Sequence, residues 1–188
     1  MKMIDLICKP INFFVNKISF LHENIKESEN LKINGRIFVR GNISFGNNVR
    51  INSGCRYNPI GGQEKAIFFA KGNGKIQIGN NVGISNSAIV SQESIVIEDD
   101  VLIGGSCKIY DTDFHSLDFE KRIMSDDPDI KTKPVLIKKG AFIGAHSIIL
   151  KGVTIGEKAV IGAGSVVTKS VPDGEIWAGN PAKFINKI

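Results

Sequence analysis

From Ile137 onward an aliphatic residue returns at every sixth position: Ile137, Ile143, Ile149, Ile155, Ile161 and Val167. A small or aliphatic residue stands four places after each, at Ala141, Ser147, Val153, Ala159, Ser165 and Val171, and glycine follows directly at Gly144, Gly156 and Gly162. The same register runs through Ile97, Ile103 and Ile109, through Ile78, Ile84 and Val90, and through Ile33, Val39, Phe45, Ile51 and Tyr57. Neither the helical period nor simple strand alternation gives this pattern. Six residues make a short strand and a turn, with every sixth side chain pointing into a narrow core. Three such hexads close a triangular coil of about 18 residues, and coils stack by parallel pairing about 4.8 Å apart. One coil cannot bury its apolar side alone, so stability comes from its neighbours. The pattern predicts an all-β fold, a parallel β-helix over residues 31–188.

Two stretches break the period. Residues 58–75 are Gly-rich and read as a small bulge or loop. Residues 111–134 form a long polar insertion between Ile109 and Ile137, read as a protruding loop. Long loops within compact repeat domains are usually functional or disordered. The ends of the stack need covers: residues 1–30 are read as a capping segment of one or two short helical turns, and residues 171–188 close the other end. Lys2, Asp5, Lys9, Pro10 and Lys17 interrupt the apolar N-terminus too often for a spanning helix. That segment also lacks the features of a signal peptide. Packing is the first reading for Phe13, Phe14 and Phe20; peripheral contact with a membrane stays open.

Composition narrows the picture only a little. The 188 residues are 42% hydrophobic and 23% charged, as in an ordinary globular domain. The formal charge of +5 suits nucleic acid, an anionic membrane face or a phosphate-rich cofactor. No Lys/Arg run interleaved with aromatics occurs, so nucleic acid is the weakest of the three. Cys8, Cys55 and Cys107 include no CxxC pair, which indicates neither a zinc knuckle nor a disulfide scaffold. A reducing, cytoplasmic location is the simplest reading. Of the three histidines, His115 lies in the insertion among Asp111, Asp113 and Asp118, a setting that suits proton transfer near neutral pH.

Residues 134–185, from PVLIKKGAFIGAHS through AGNPAKFI, resemble the C-terminal half of hexapeptide-repeat O-acetyltransferases, a group that includes galactoside and maltose acetyltransferases. The insertion's DTDFHSLD, residues 111–118, is similar to the branch that acetylates capsular or lipopolysaccharide sugars. The resemblance implies left-handed coils, a homotrimer with active sites between neighbouring β-helices, acetyl-CoA as co-substrate and no metal. It implies acetyl transfer to a sugar hydroxyl, with His115 as general base and an aspartate, Asp113 first, orienting it. It places CoA along Gly104, Phe142, Gly144, Ala145, Gly162 and Ala163, with Thr168, Lys169 and Lys183 near its phosphates. Ser85, Asn86 and Asp118 are the acceptor-side candidates. Ser85 stands where galactoside acetyltransferases carry a sugar-binding asparagine, so the acceptor is left open.

For the glycines and for Ser85 and Asn86, ordinary turn geometry is an equal explanation. His146 reads as a surface or groove residue, and His22 as structural. An N-acetyltransferase acting on an amino sugar, nucleotide-linked or not, is the alternative. A γ-type carbonic anhydrase would need three histidine ligands, and only His115 and His146 lie in or near the coils. A passive scaffold gives no reason for a charged insertion carrying a histidine.

Overall fold

The computed structural model describes residues 2–26 and 28–188, with side chains from Cys8 onward. Short strands stack in three parallel sheets, and each sheet is one face of a triangular prism. On the first face Ile33, Ile51, Ile84, Ile103, Ile143, Ile161 and Trp177 lie in register. The second face aligns Val39, Phe68, Ile89, Ile109, Ile149 and Val167. The third aligns Phe45, Ile78, Ile97, Ile137, Ile155 and Val171. These inward columns are the core, and their aliphatic members are nearly all fully buried.

The hexad register needs three corrections. Ile89, not Val90, fills the second face, because the step from Ile84 is one residue short; Val90 is half-buried. Tyr57 belongs to no face and sits in the turn after Gly54. The interruption is also displaced from 58–75. Strand Ile67–Ala70 already lies in the second sheet and Lys75–Ile78 in the third, so the excursion covers residues 53–66.

Turn chemistry explains why the prism closes. At the third-to-first corner Asn30, Asn48, Asn81 and Asp100 hold φ of 57°, 59°, 58° and 61°. Asparagine and aspartate tolerate this left-handed region better than most residues. Their side chains form a ladder: Asn30 donates to Asn48 at 3.1 Å, Asn48 to Asn81 at 3.1 Å, and Asn81 to Asp100 at 2.9 Å. Inside the first-to-second corner Ser53, Ser87, Cys107, Ser147 and Ser165 form a buried column. Their small side chains serve backbone groups of adjacent coils, as when Ser87 Oγ donates to the Gly104 carbonyl at 2.9 Å and Ser147 Oγ to that of Gly162 at 3.1 Å. Burial pushes the Cys107 thiol pKa up, which keeps it neutral in this column.

The N-terminal segment is one helix of 21 residues, α1 (Lys2–His22), rather than one or two turns. Phe20 stacks on Phe45 at 5.7 Å and joins the core with Ile25. The buried Asn16 side chain donates to the Gly35 carbonyl at 2.9 Å and accepts from Ile37 N at 3.2 Å. At the opposite end Glu175–Gly179 continues the first sheet, and Ala182–Lys187 folds back antiparallel onto it.

Candidate active site

The 111–134 insertion leaves the prism at the second-to-third corner, between strands Lys108–Tyr110 and Val135–Ile137. Its base is anchored by Asp111, fully buried, whose carboxylate accepts from Ser91 Oγ at 2.6 Å, Gln92 N at 2.8 Å and Glu93 N at 3.0 Å. A Thr112–Thr132 bridge makes the two ends of the insertion antiparallel. Near the tip, Asp118 caps the short helix α2 (Phe119–Arg122), and Arg122 donates to the carbonyls of Ser116 and Leu117. The tip of the insertion is therefore built from its own polar contacts, and its base is tied to the coils.

His115 projects from this frame, its side chain 70% exposed. Its Nδ1 lies 2.6 Å from Asp127 Oδ2, while the other Asp127 oxygen accepts from Ser116 N at 3.0 Å. The Ser116 amide is the first cause that holds the Asp127 carboxyl below its usual range, with His115 assisting. The carboxylate on His115 is thus Asp127, not Asp113. Asp113 turns instead to Lys151 on the coils, at 2.9 Å, and its second oxygen is buried with no hydrogen-bond partner among the described residues. Asp118 also has a local task, accepting from Glu120 N and Lys121 N as the cap of α2.

The remaining candidates divide between two corners. Gly104, Gly144, Ala145, Gly162, Ala163, Ser85 and Asn86 lie where the first face turns into the second. Thr168 and Lys169 lie at the second-to-third corner, the same corner as His115. Phe142, 46% exposed, stands on the outside of the first face, and Lys183 is exposed on the final strand. A single chain therefore places the glycine-rich corner and the histidine at opposite edges of the second face.

Several of these positions have purely structural explanations. A Cβ on Gly144 would lie 2.5 Å from Ala163 N, and one on Gly104 2.6 Å from Ala145 N. Both contacts are impossible, so coil stacking alone demands glycine there. Asn86 is fully buried, accepting from Gly54 N at 2.6 Å and donating to the Asn58 carbonyl at 2.7 Å, which leaves little for a ligand. Ser85 is half-buried beside it.

Sequence reasoning missed the floor of the second face. The 53–66 excursion folds over this face, and Glu64 reaches Lys108 at 2.5 Å. With Ser106, His146 and Ile148 these residues line a groove of about 490 Å³. Tyr110, at the end of the same strand as Lys108, meets Phe114 edge-to-face at 5.0 Å, one residue before His115. Burial, with Glu64 nearby, raises the Tyr110 pKa. Neither Glu64 nor Asp127 carries a period or motif; only the folded excursions bring them to their partners.

The family described as hexapeptide repeat of succinyl-transferase matches residues 134–169. No curated protein sequence matches the chain. Among solved structures, a variant of AntD, an N-acyltransferase from Bacillus cereus in complex with dTDP-4-amino-4,6-dideoxyglucose and coenzyme A, is 30% identical with a TM-score of 0.70, covering 92% of this chain and 86% of that one. AntD with dTDP and 3-hydroxybutyryl-CoA is 28% identical with a TM-score of 0.69, covering 92% and 86%. A galactoside acetyltransferase in complex with coenzyme A is 30% identical with a TM-score of 0.56, covering 74% of this chain and 64% of that one. The three-faced stack of hexads, left-handed as in these structures, and the likeness to AntD over nearly its whole length carry one conclusion: this chain belongs to the hexapeptide-repeat acyltransferase family.

Proposed function

We propose that this protein transfers an acetyl group from acetyl-CoA to a sugar, with His115 as general base. The supporting observation is the His115–Asp127 pair: a carboxylate on Nδ1 favours the tautomer whose Nε2 can take a proton. The acceptor attacks the thioester carbon as Nε2 removes its proton. Collapse of the tetrahedral intermediate breaks the C–S bond, and the imidazolium returns the proton to the departing thiolate. CoA is assigned to the corner of Gly104, Gly144, Ala145, Gly162 and Ala163, with Phe142 beside it and Thr168, Lys169 and Lys183 toward the phosphates. The coils around Ser85 and Gly104–Gly105 are the candidate source of an oxyanion donor, other than the amides of Asn86 and Gly104, which donate within the stack.

Because the two groups of candidates occupy different corners, a homotrimer supports this reading best, with the groove of one chain meeting the insertion of the next. Residues 1–30 then act as the cap and residues 31–188 as the catalytic unit, in a cytoplasmic enzyme.

Two acceptors fit. The AntD likeness favours the amine of a nucleotide-linked amino sugar; the galactoside acetyltransferase likeness favours a hydroxyl of a glycan sugar. A thiol-release assay with acetyl-CoA, dTDP-linked amino sugars and unmodified glycosides separates them. Release with the amino sugars alone selects N-acetylation, and release with glycosides alone selects O-acetylation. No release with either class refutes the function.

A further inference from the structure

The 53–66 excursion is fastened to the coils at several points. Buried Asn86 ties Gly54 N and the Asn58 carbonyl, and the Asn58 side chain in turn accepts from Ile60 N at 3.0 Å. Gly61 is buried against the stack: a Cβ on Gly105 would lie 3.0 Å from Gly61 N, and Ser106 Oγ lies 3.1 Å from the Gly61 carbonyl. A chain held in this way presents Glu64 in one place, over Lys108 on the second face.

The Glu64–Lys108 pair is not one of those fastenings in any strong sense. The two side chains are 47% and 27% exposed, and an ion pair so open to water adds little to stability. Much of its bonding capacity is also unspent. Glu64 Oε2 meets Lys108 Nζ at 2.5 Å and Ser106 Oγ at 3.3 Å, whereas Oε1 has no partner among the described residues. Lys108 Nζ has no second partner among them either, so N–H groups remain to donate. Both side chains line the groove of about 490 Å³, with Ile60 and Ile148 as apolar walls and His146 as a further polar group. That volume lies in the range of small-molecule sites. Ser106 stands two residues after Gly104, and His146 one after Ala145, so the groove adjoins the corner assigned to CoA.

The pair selects its ligand by bonding pattern. A free carboxylate oxygen beside a free ammonium suits neither an anion, which Glu64 repels, nor a cation, which Lys108 repels. It suits neutral groups that accept at one point and donate at the next. A hydroxyl does both, and each bond is strengthened by the charge of its protein partner. Neighbouring hydroxyls are the mark of a sugar ring, whose C–H faces match Ile60 and Ile148. We propose that Glu64 and Lys108 read two neighbouring hydroxyls of the acceptor's sugar ring, Lys108 donating to one and Glu64 Oε1 accepting from the other. This rests on the acyl-transfer reading and holds for an amino sugar as for a glycoside, because both carry such hydroxyls.

The test combines the thiol-release assay with calorimetric titration of sugar into the full chain. The acceptors are methyl galactoside and dTDP-4-amino-4,6-dideoxyglucose, each with its 2-deoxy and 3-deoxy analogue. Glu64→Gln and Lys108→Met should each raise KM and Kd for the accepted sugar about ten-fold and leave KM for acetyl-CoA within about two-fold. One deoxy analogue should bind the wild type about ten-fold more weakly than its parent, and Glu64→Gln should erase that difference. A merely structural ion pair would not move this ratio. Should Lys108→Met fail to fold, Glu64→Gln, the closest match in shape, decides alone. Unchanged acceptor KM and Kd overturn the proposal. A rise confined to acetyl-CoA also overturns it, and gives the groove to the pantetheine arm. If the wild type releases thiol with neither sugar, the acyl-transfer reading fails and the titration judges the groove. Sugar binding weakened by Glu64→Gln then sustains the pair as a hydroxyl reader, and no binding overturns it.

Discussion

Asp127 holds His115 from twelve residues further along the chain, its Oδ2 lying 2.6 Å from Nδ1 while its other oxygen is tied to the Ser116 amide. The pair exists because the insertion doubles back on itself. The carboxylate therefore arrives from the far limb of the loop, not from the adjacent Asp113. Asp127→Asn should lower kcat by about 10² and leave KM for acetyl-CoA nearly unchanged, since it disturbs the base and not the groove. Asp113→Asn should act differently. It breaks the Lys151 contact that ties the loop to the coils, so its effect should appear as loop mobility by hydrogen exchange.

The insertion should loosen in acid before the coils do. Lys121 and Lys131 hold Asp129 at a pKa of about 2, and the Ser116 amide and His115 depress Asp127. Carboxylates depressed on folding stabilise the loop above their unfolded value of 3.8, and that contribution is lost as pH falls through the folded values. Exchange protection of peptides from residues 113–131 should fall between about pH 4 and pH 2, while the coil peptides stay protected. Equal loss in both would contradict this.

Coil stacking sets the cost of core changes. Ile143 is fully buried, between Ile103 and Ile161 in its column. Ile143→Ala should cost about 2–5 kcal/mol in urea unfolding. Gly144→Ala should cost about 1–3 kcal/mol although it adds a single methyl, because that methyl would meet the backbone of Ala163. An unchanged midpoint for Gly144→Ala would mean that glycine there serves a ligand and not the stack.

The period was legible because the inward columns are filled mostly by aliphatic residues at a spacing that is six in nearly every step, and the prism follows from that. The slips have physical causes. Ile89 replaces Val90 because one step is a residue short, and the apparent break at 58–75 hid Phe68, which returns to its column after a loop of unrelated length. α1 was longer than expected because Pro10 is accommodated within the helix. The site was legible only in part. His115 stood out by its surroundings, and the glycines by their register. Asp127, Glu64 and the groove over Lys108 depend on excursions whose course no period encodes. Handedness likewise left no mark in the spacing and entered by resemblance.

The most direct test of a site shared between chains is complementation. His115→Ala removes the base and leaves the CoA groove proposed at the glycine-rich corner; Ala163→Trp blocks that groove and leaves the base. Each should be inactive alone in the thiol-release assay. Refolded together as mixed trimers, they should recover about a quarter of wild-type activity, the chance that an intact groove faces an intact histidine. No recovery in mixed trimers verified by native mass spectrometry would mean that one chain supplies both parts, contradicting the arrangement proposed here.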